Sequence, residues 1–261
     1  MNLIRLANEK VQTYKFLFDE LVKRDFKKKY KRTVLGMWWS VLSPLLQLLV
    51  MRIVFTQFFG RGMEHYTTYL FCGNLVYNFY RESTNGGMNS LMSNAGIISK
   101  VNVPKYMFLL SRNVSSLINF GLNLIVFFLF VILDGVPIQT NFVLLIYPIL
   151  CLVVFNIGVG LVLSALFVFF RDINYLYEIF TMLLSYFSAI FYTVDGYSAW
   201  MQKAFYINPL YCYIRYFRVV VLEGTVPSLA LHILCLFYAV VMVVIGGRIY
   251  KKYNHKFLYY M

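Results

Sequence analysis

Six stretches of this chain are apolar over about 20 residues, the length a helix needs to cross the hydrocarbon core of a bilayer. They run over roughly 37–58, 67–90, 113–133, 142–170, 174–193 and 228–247. Composition agrees with this pattern. Charged residues make up 13% of the 261 and hydrophobic ones 60%, whereas soluble domains carry about 25% charged residues. The expected fold is an all-α membrane protein with six transmembrane helices. Between the fifth and sixth spans, 194–227 is too aromatic for an ordinary loop. Gly196, Pro209, Gly224 and Pro227 interrupt it too often for a span. One or two short helices at the membrane, or dipping into it, are expected there, with any non-helical backbone covered by protein or a watery cavity.

Charge sets the orientation, because Lys and Arg accumulate on the cytoplasmic side. With the N-terminus inside, 18 of the 24 basic residues are cytoplasmic: ten precede Gly36, and the rest include Lys100, Lys105, Arg112, Arg171 and Lys256. Only Arg61, Lys203, Arg215 and Arg218 fall outside, with Arg52 and Arg81 within spans. Both termini are therefore expected in the cytoplasm. The sequence "MNLIRLANEKVQTYKF" has no apolar core of the signal-peptide kind, so no cleaved leader is expected.

Upstream of the first span, Ile4, Ala7, Val11, Tyr14, Phe18, Leu21 and Val22 recur at three- and four-residue steps, with Lys10, Lys15, Lys23 and Lys27 mostly between them. This pattern describes an amphipathic helix along the inner surface. The basic run that follows, with Lys27, Lys28, Lys29, Lys31 and Arg32, faces anionic lipid, and Trp39 beside Trp38 marks the headgroup level. These are the expected interface anchors. The net charge of +13 is thus a membrane flank, and no nucleic-acid partner is expected. The chain divides into 1–34, the interface helix and basic flank, and 35–261, the transmembrane domain. Pro44, just inside the first span, is placed to bend it.

Polar groups inside spans are costly and mark interfaces or pathways. Gln47 and Arg52 lie in the first span, and Arg81 and Glu82 near the middle of the second. Arg81 and Glu82 admit two readings, structural partners for other helices or lining of a polar conduit. Small residues at Gly158, Gly160 and Ser164 suit close helix packing. Cys72, Cys151, Cys212 and Cys235 show neither metal spacing nor a disulfide framework and read as small buried hydrophobes. No P-loop motif and no metal-binding motif occurs, so a transport path has no energy source in its own polypeptide. A membrane-bound transferase would need a set of catalytic groups; Asp134, Asp172 and Asp195 are scattered along the chain.

Four stretches, in order, carry a resemblance: "LVKRDFKKKYKRTVLGMWWSVLSPLLQLLV" at 21–50, "NSLMSNAGIISKVNVPKYMFLLS" at 89–111, "FRDINYL" at 170–176 and "INPLYCYIRYFRVVVLEG" at 207–224. The chain resembles the membrane subunits of ABC-2 type exporters for lipid-linked polysaccharides such as O-antigens, capsules and teichoic acids. The resemblance implies a permease in the inner membrane, moving an undecaprenyl-linked glycan, without catalytic residues of its own. It implies two copies of this chain with two copies of a P-loop ATPase, which binds ATP and Mg; no cofactor and no metal belongs to this chain. The segment 93–106 would dock on the ATPase through Asn94, Ile97, Ile98, Lys100, Val101, Pro104 and Lys105. The region 194–227 would be re-entrant and gate the exit through Tyr197, Trp200, Asn208, Pro209, Arg215 and Arg218. The path would run along the first, second and fifth spans, past Trp38, Gln47, Tyr77, Tyr80, Arg81, Glu82, Phe187, Phe191 and Tyr192. A broader member of the class, exporting a smaller amphiphile such as a drug or lipid, is the alternative.

Overall fold

A computed structural model of the chain describes residues 14–27, 35–58 and 64–261. Among them all regular structure is helical. Helix α1 covers 14–27, followed by α2 (Trp39–Phe58), α3 (Tyr66–Asn89), the short α4 (Ala95–Ile98) and α5 (Tyr106–Leu133). Then come α6 (Ile146–Phe169), α7 (Ile173–Phe187), the short α8 (Ala199–Phe205) and α9 (Pro209–Val221), α10 (Leu229–Tyr253) and α11 (Phe257–Tyr260). The anchors Lys28, Lys29, Lys31 and Arg32, Arg61 and the first half of the expected N-terminal helix lie outside the described residues.

Among the described residues, three stretches are both long and apolar enough to cross a membrane: Tyr106–Leu133, Thr140–Phe169 and Leu229–Tyr253. Helix α3 is as long, at 24 residues, but its polar side chains keep it out of that group. Protein encloses it instead, since α5, α6 and α9 all lie against it. Several of its hydroxyls and amides are therefore satisfied internally, as buried polar groups require. Ser83 donates to Asn113 Oδ1 at 2.5 Å, Tyr77 to the Thr181 carbonyl at 2.8 Å, and Thr68 to Asp134 Oδ2 at 2.7 Å. Glu82 is partnered too, accepting from Asn119 Nδ2 at 2.6 Å.

Helices α6 and α10 approach so closely that a Cβ on Gly158 would collide with the backbone of Met242 and Val243, and one on Gly246 with the Gly158 carbonyl. A Cβ on Gly87 would come within 3.1 Å of the Gly160 Cα, so α3 and α6 meet glycine to glycine. This is the close approach expected of small residues between membrane helices. The large core joins α3, α5, α6, α9 and α10. A smaller one, around Leu21, Leu91, Ile98, Phe108, Val168, Tyr250 and Phe257, closes the end where α1, α4 and α11 meet. All four cysteines are buried.

Helix α7 ends at Phe187, six residues short of the boundary read from hydropathy. Residues Ser188 to Val194 run on without helical structure, and Ala189 has the left-handed φ of 50° that side-chain-bearing residues adopt rarely. Side chains from distant helices hold this turn. Asn208 Nδ2 donates to the Phe187 carbonyl at 3.2 Å, Tyr66 to that of Phe191 at 2.7 Å, and Tyr69 to that of Tyr192 at 2.6 Å. Arg218 donates to the carbonyls of Ala189 (2.9 Å) and Ile190 (3.1 Å). Carbonyls orphaned at a helix end need such partners when water is excluded.

Candidate functional site

The polar groove between α2, α3 and α7 is built from helical periodicity. Asn74, Tyr77, Asn78 and Arg81 follow at three- and four-residue steps along one face of α3, and Glu178, Thr181, Met182 and Ser185 do the same on α7. Gln47 and Met51, one turn apart, close the third side, with Ile190 and Phe191 at one end. Together they line a cavity of about 350 Å³. Its surface carries the Gln47 and Asn78 amides, a cation on Arg81 and an anion on Glu178, with the Tyr77 and Phe191 rings beside them; the Asn74, Tyr77, Thr181 and Ser185 donors are engaged with protein acceptors. A cleft of that chemistry suits a hydroxyl-rich, partly charged ligand better than a purely apolar one.

Of the nine residues expected to line a path, this groove gathers Gln47, Tyr77, Arg81 and Phe191. Tyr80 faces the other way. It lines an apolar cavity of about 400 Å³ with Phe155, Tyr177 and Phe180, walled mainly by α6 and α7. Glu82 is turned to Asn119 of α5. Trp38 and Phe187 are exposed, and the Tyr192 hydroxyl donates to the Tyr186 carbonyl at 2.8 Å. Asn74, Asn78, Thr181 and Ser185 were not singled out from the sequence, although polar residues at helical steps on the second and fifth apolar stretches carried the signal.

The residues expected to form an outer gate fall into two groups. Tyr197 stacks on Phe205, with centroids 6.2 Å apart, and Trp200 is exposed. Asn208 caps α9, accepting from Leu210 N at 3.0 Å, and Pro209 occupies the first helical position, where its missing N–H costs nothing. Arg215 is ion-paired with Glu223 at 2.5 Å. Arg218, expected among the few external charges, is buried at 3% exposure. Its guanidinium carbon lies 3.4 Å from the Tyr69 ring centroid, and it supports the turn after α7.

The segment 93–106 makes a 3-10 turn, the single helical turn of α4, and an extended stretch before α5. Its residues divide by burial. Asn94 and Ile98 point into the protein, and Ile97 and Val103 pack partly on the small core. Ser99, Lys100, Val101 and Asn102 are exposed. Lys105 is half-buried; its Nζ donates to the Asn254 carbonyl and lies 5.7 Å from the Phe257 ring centroid. Burial draws its ammonium pKa below the usual lysine value. Pro104 sits with these residues on a cavity of about 490 Å³, closed by Tyr14 of α1 and by Asn254 and Leu258 beyond α10. On α1, Lys15, Lys23 and Lys27 face outward and Leu21 inward, and Trp39 is exposed at the start of α2.

A family model described as "ABC-2 type transporter" matches residues 17–222. Among curated relatives, an O-antigen export system permease protein RfbA of Klebsiella pneumoniae is 28% identical over 247 residues, 93% of this chain and 95% of the relative. A second Klebsiella pneumoniae protein of that name is 26% identical over the same length. The Myxococcus xanthus protein of that name is 25% identical over 229 residues, 87% of each chain.

Proposed function

The chain belongs to the ABC-2 type transporter family, and on that basis we propose that it is the permease subunit of an ABC exporter for a cell-surface polysaccharide of the O-antigen type. The observation that carries the reading is the groove between α2, α3 and α7, lined by the charged and amide side chains Gln47, Asn78, Arg81 and Glu178 within a membrane-type bundle. The full-length similarity to O-antigen export permeases supports it.

In the finer reading, the chain crosses the inner membrane six times with both ends in the cytoplasm. Helices α2, α3, α5, α6 and α10 each reach about 30 Å or more at the standard rise. Helix α7, with 15 residues, reaches only about 22 Å, and its crossing is completed by the carbonyl-capped turn at 188–194. Residues 194–227, with α8 and α9, form the re-entrant exit region. Two copies assemble with two ATPase subunits, which supply ATP and Mg chemistry. The substrate is an undecaprenyl-linked glycan. Sugar hydroxyls exchange hydrogen bonds with Gln47, Asn78 and Arg81 while the aromatic rings cover apolar sugar faces. The exposed strip Ser99–Asn102 meets the ATPase, and α1 lies along the inner leaflet.

Deleting the gene should leave lipid-linked glycan accumulating on the cytoplasmic leaflet, and the wild-type chain together with a P-loop ATPase should clear it. Full activity without any ATPase would overturn the proposal. Normal glycan display alongside the loss of a small amphiphile's efflux would favour the alternative cargo.

A further inference from the structure

Asp25 is the one acid in the basic run of 24–32, and its side chain is wholly withdrawn from solvent. Arg24 donates to its Oδ1 from Nε at 3.1 Å and from Nη2 at 2.8 Å. Ser111 Oγ donates to Oδ2 at 3.1 Å, and Arg112 Nε lies 3.4 Å from the same oxygen as an ion pair. The Arg24 Nη2 also donates to Asn94 Oδ1 at 2.8 Å, and Asn94 Nδ2 donates to the Ser90 carbonyl at 2.7 Å. The carboxylate thus ties α1 to α5, and Arg24, its neighbour on α1, which it holds in place, ties α1 to the turn that leads into α4.

We propose that Asp25 is a positioning residue for energy coupling, latching α1 to the docking segment so that the two move as one body. The inference rests on the reading of 99–102 as the ATPase contact. A push on that strip then reaches α1 through Asn94 and Arg24. Helix α2, which begins twelve residues after Lys27, carries Gln47 and Met51 in the wall of the groove. Apolar contact at Leu21 alone would let α1 slide on the small core. Charged hydrogen bonds fix direction as well as distance, and separating α1 would part the buried carboxylate from Ser111 and Arg112 of α5. An acid at this place is a joint, where a leucine would be a cushion.

The test uses the permease purified with its ATPase and a strain whose only copy of the gene is the variant. Asp25→Asn keeps the shape and removes the charge. The expected result is unchanged co-purification and basal ATP hydrolysis, with surface glycan per complex reduced about tenfold, the scale of a typical coupling free energy. Ser111→Ala, which deletes one neutral donor, should export near the wild-type level. If Asp25→Asn does not fold, Arg24→Gln, which leaves Asp25 with Ser111 and Arg112, is read by the same ratio. Normal export overturns the latch. So does a loss of export that merely follows the loss of complex or of hydrolysis, because a structural role moves all three together. A wild-type chain that neither binds an ATPase nor exports glycan defeats the functional reading itself, and the latch with it.

Discussion

Two arginines on neighbouring helices have opposite duties. Arg218 of α9 is enclosed, and its planar fork spreads over the carbonyls of Ala189 and Ile190, with that of Tyr69 at 3.4 Å. Removing it takes these charged hydrogen bonds away and leaves the Ile190 carbonyl without its side-chain donor, at about 1–3 kcal/mol for each bond lost. Arg218→Met should therefore lower stability by about 3 kcal/mol or more, seen as an earlier thermal transition of the detergent-solubilised chain. Asn208→Ala, which frees the Phe187 carbonyl and a helix cap, should shift it less, by about 1 kcal/mol. Arg81 of α3 is exposed in the groove, so no fold element depends on it. Arg81→Gln should leave the thermal transition in place and reduce surface glycan. Normal export by that variant would remove Arg81 from the path.

At the scale of elements, the approach of α6 to α10 decides whether the bundle closes. A Cβ at Gly158 meets backbone, which cannot turn aside as a side chain can. Gly158→Ala should therefore abolish monodisperse protein in size-exclusion chromatography. Gly121→Ala on α5, where nothing lies within 4 Å of the added carbon, should elute as the wild type does. Equal behaviour of the two would show that α6 and α10 can part freely. The same scale shows how much of the fold was legible in the sequence. Runs such as "FGLNLIVFFLFVIL" and "LCLFYAVVMVVIGG" declare α5 and α10 by hydropathy alone. The Asn-Pro pair at 208–209 announces the start of α9. The end of α7 was not readable, because the donors that capture its carbonyls come from α3 and α9, far along the chain. Burial of Arg218 was hidden for the same reason: composition counts a charge without knowing which carbonyls it will meet. The groove was half legible. Its helical steps of Asn, Tyr, Arg, Glu, Thr and Ser were present, but facing α2, α3 and α7 toward one another is a tertiary fact.

For the whole molecule, one end is a joint and the other a set of capped turns. The small core around Leu21, Ile98, Phe108 and Phe257 gathers α1, α4 and both ends of longer helices beneath the exposed strip Ser99–Asn102. That arrangement separates the residues expected to dock a partner into two classes with different failures. Lys100 and Val101 are exposed, so Lys100→Glu with Val101→Asp should leave thermal stability near that of the wild type. ATPase capture should fall about tenfold or more, as when a contact at the centre of an interface is lost. Asn94 and Ile98 are buried. Ile98→Ala should instead cost about 2–5 kcal/mol of stability, with capture falling only as folded protein falls. Pull-down of the purified ATPase, scored per unit of folded permease, tells these classes apart. If the double surface variant still captures the ATPase fully, the partner meets the permease elsewhere, and the strip is only the lid of the small core.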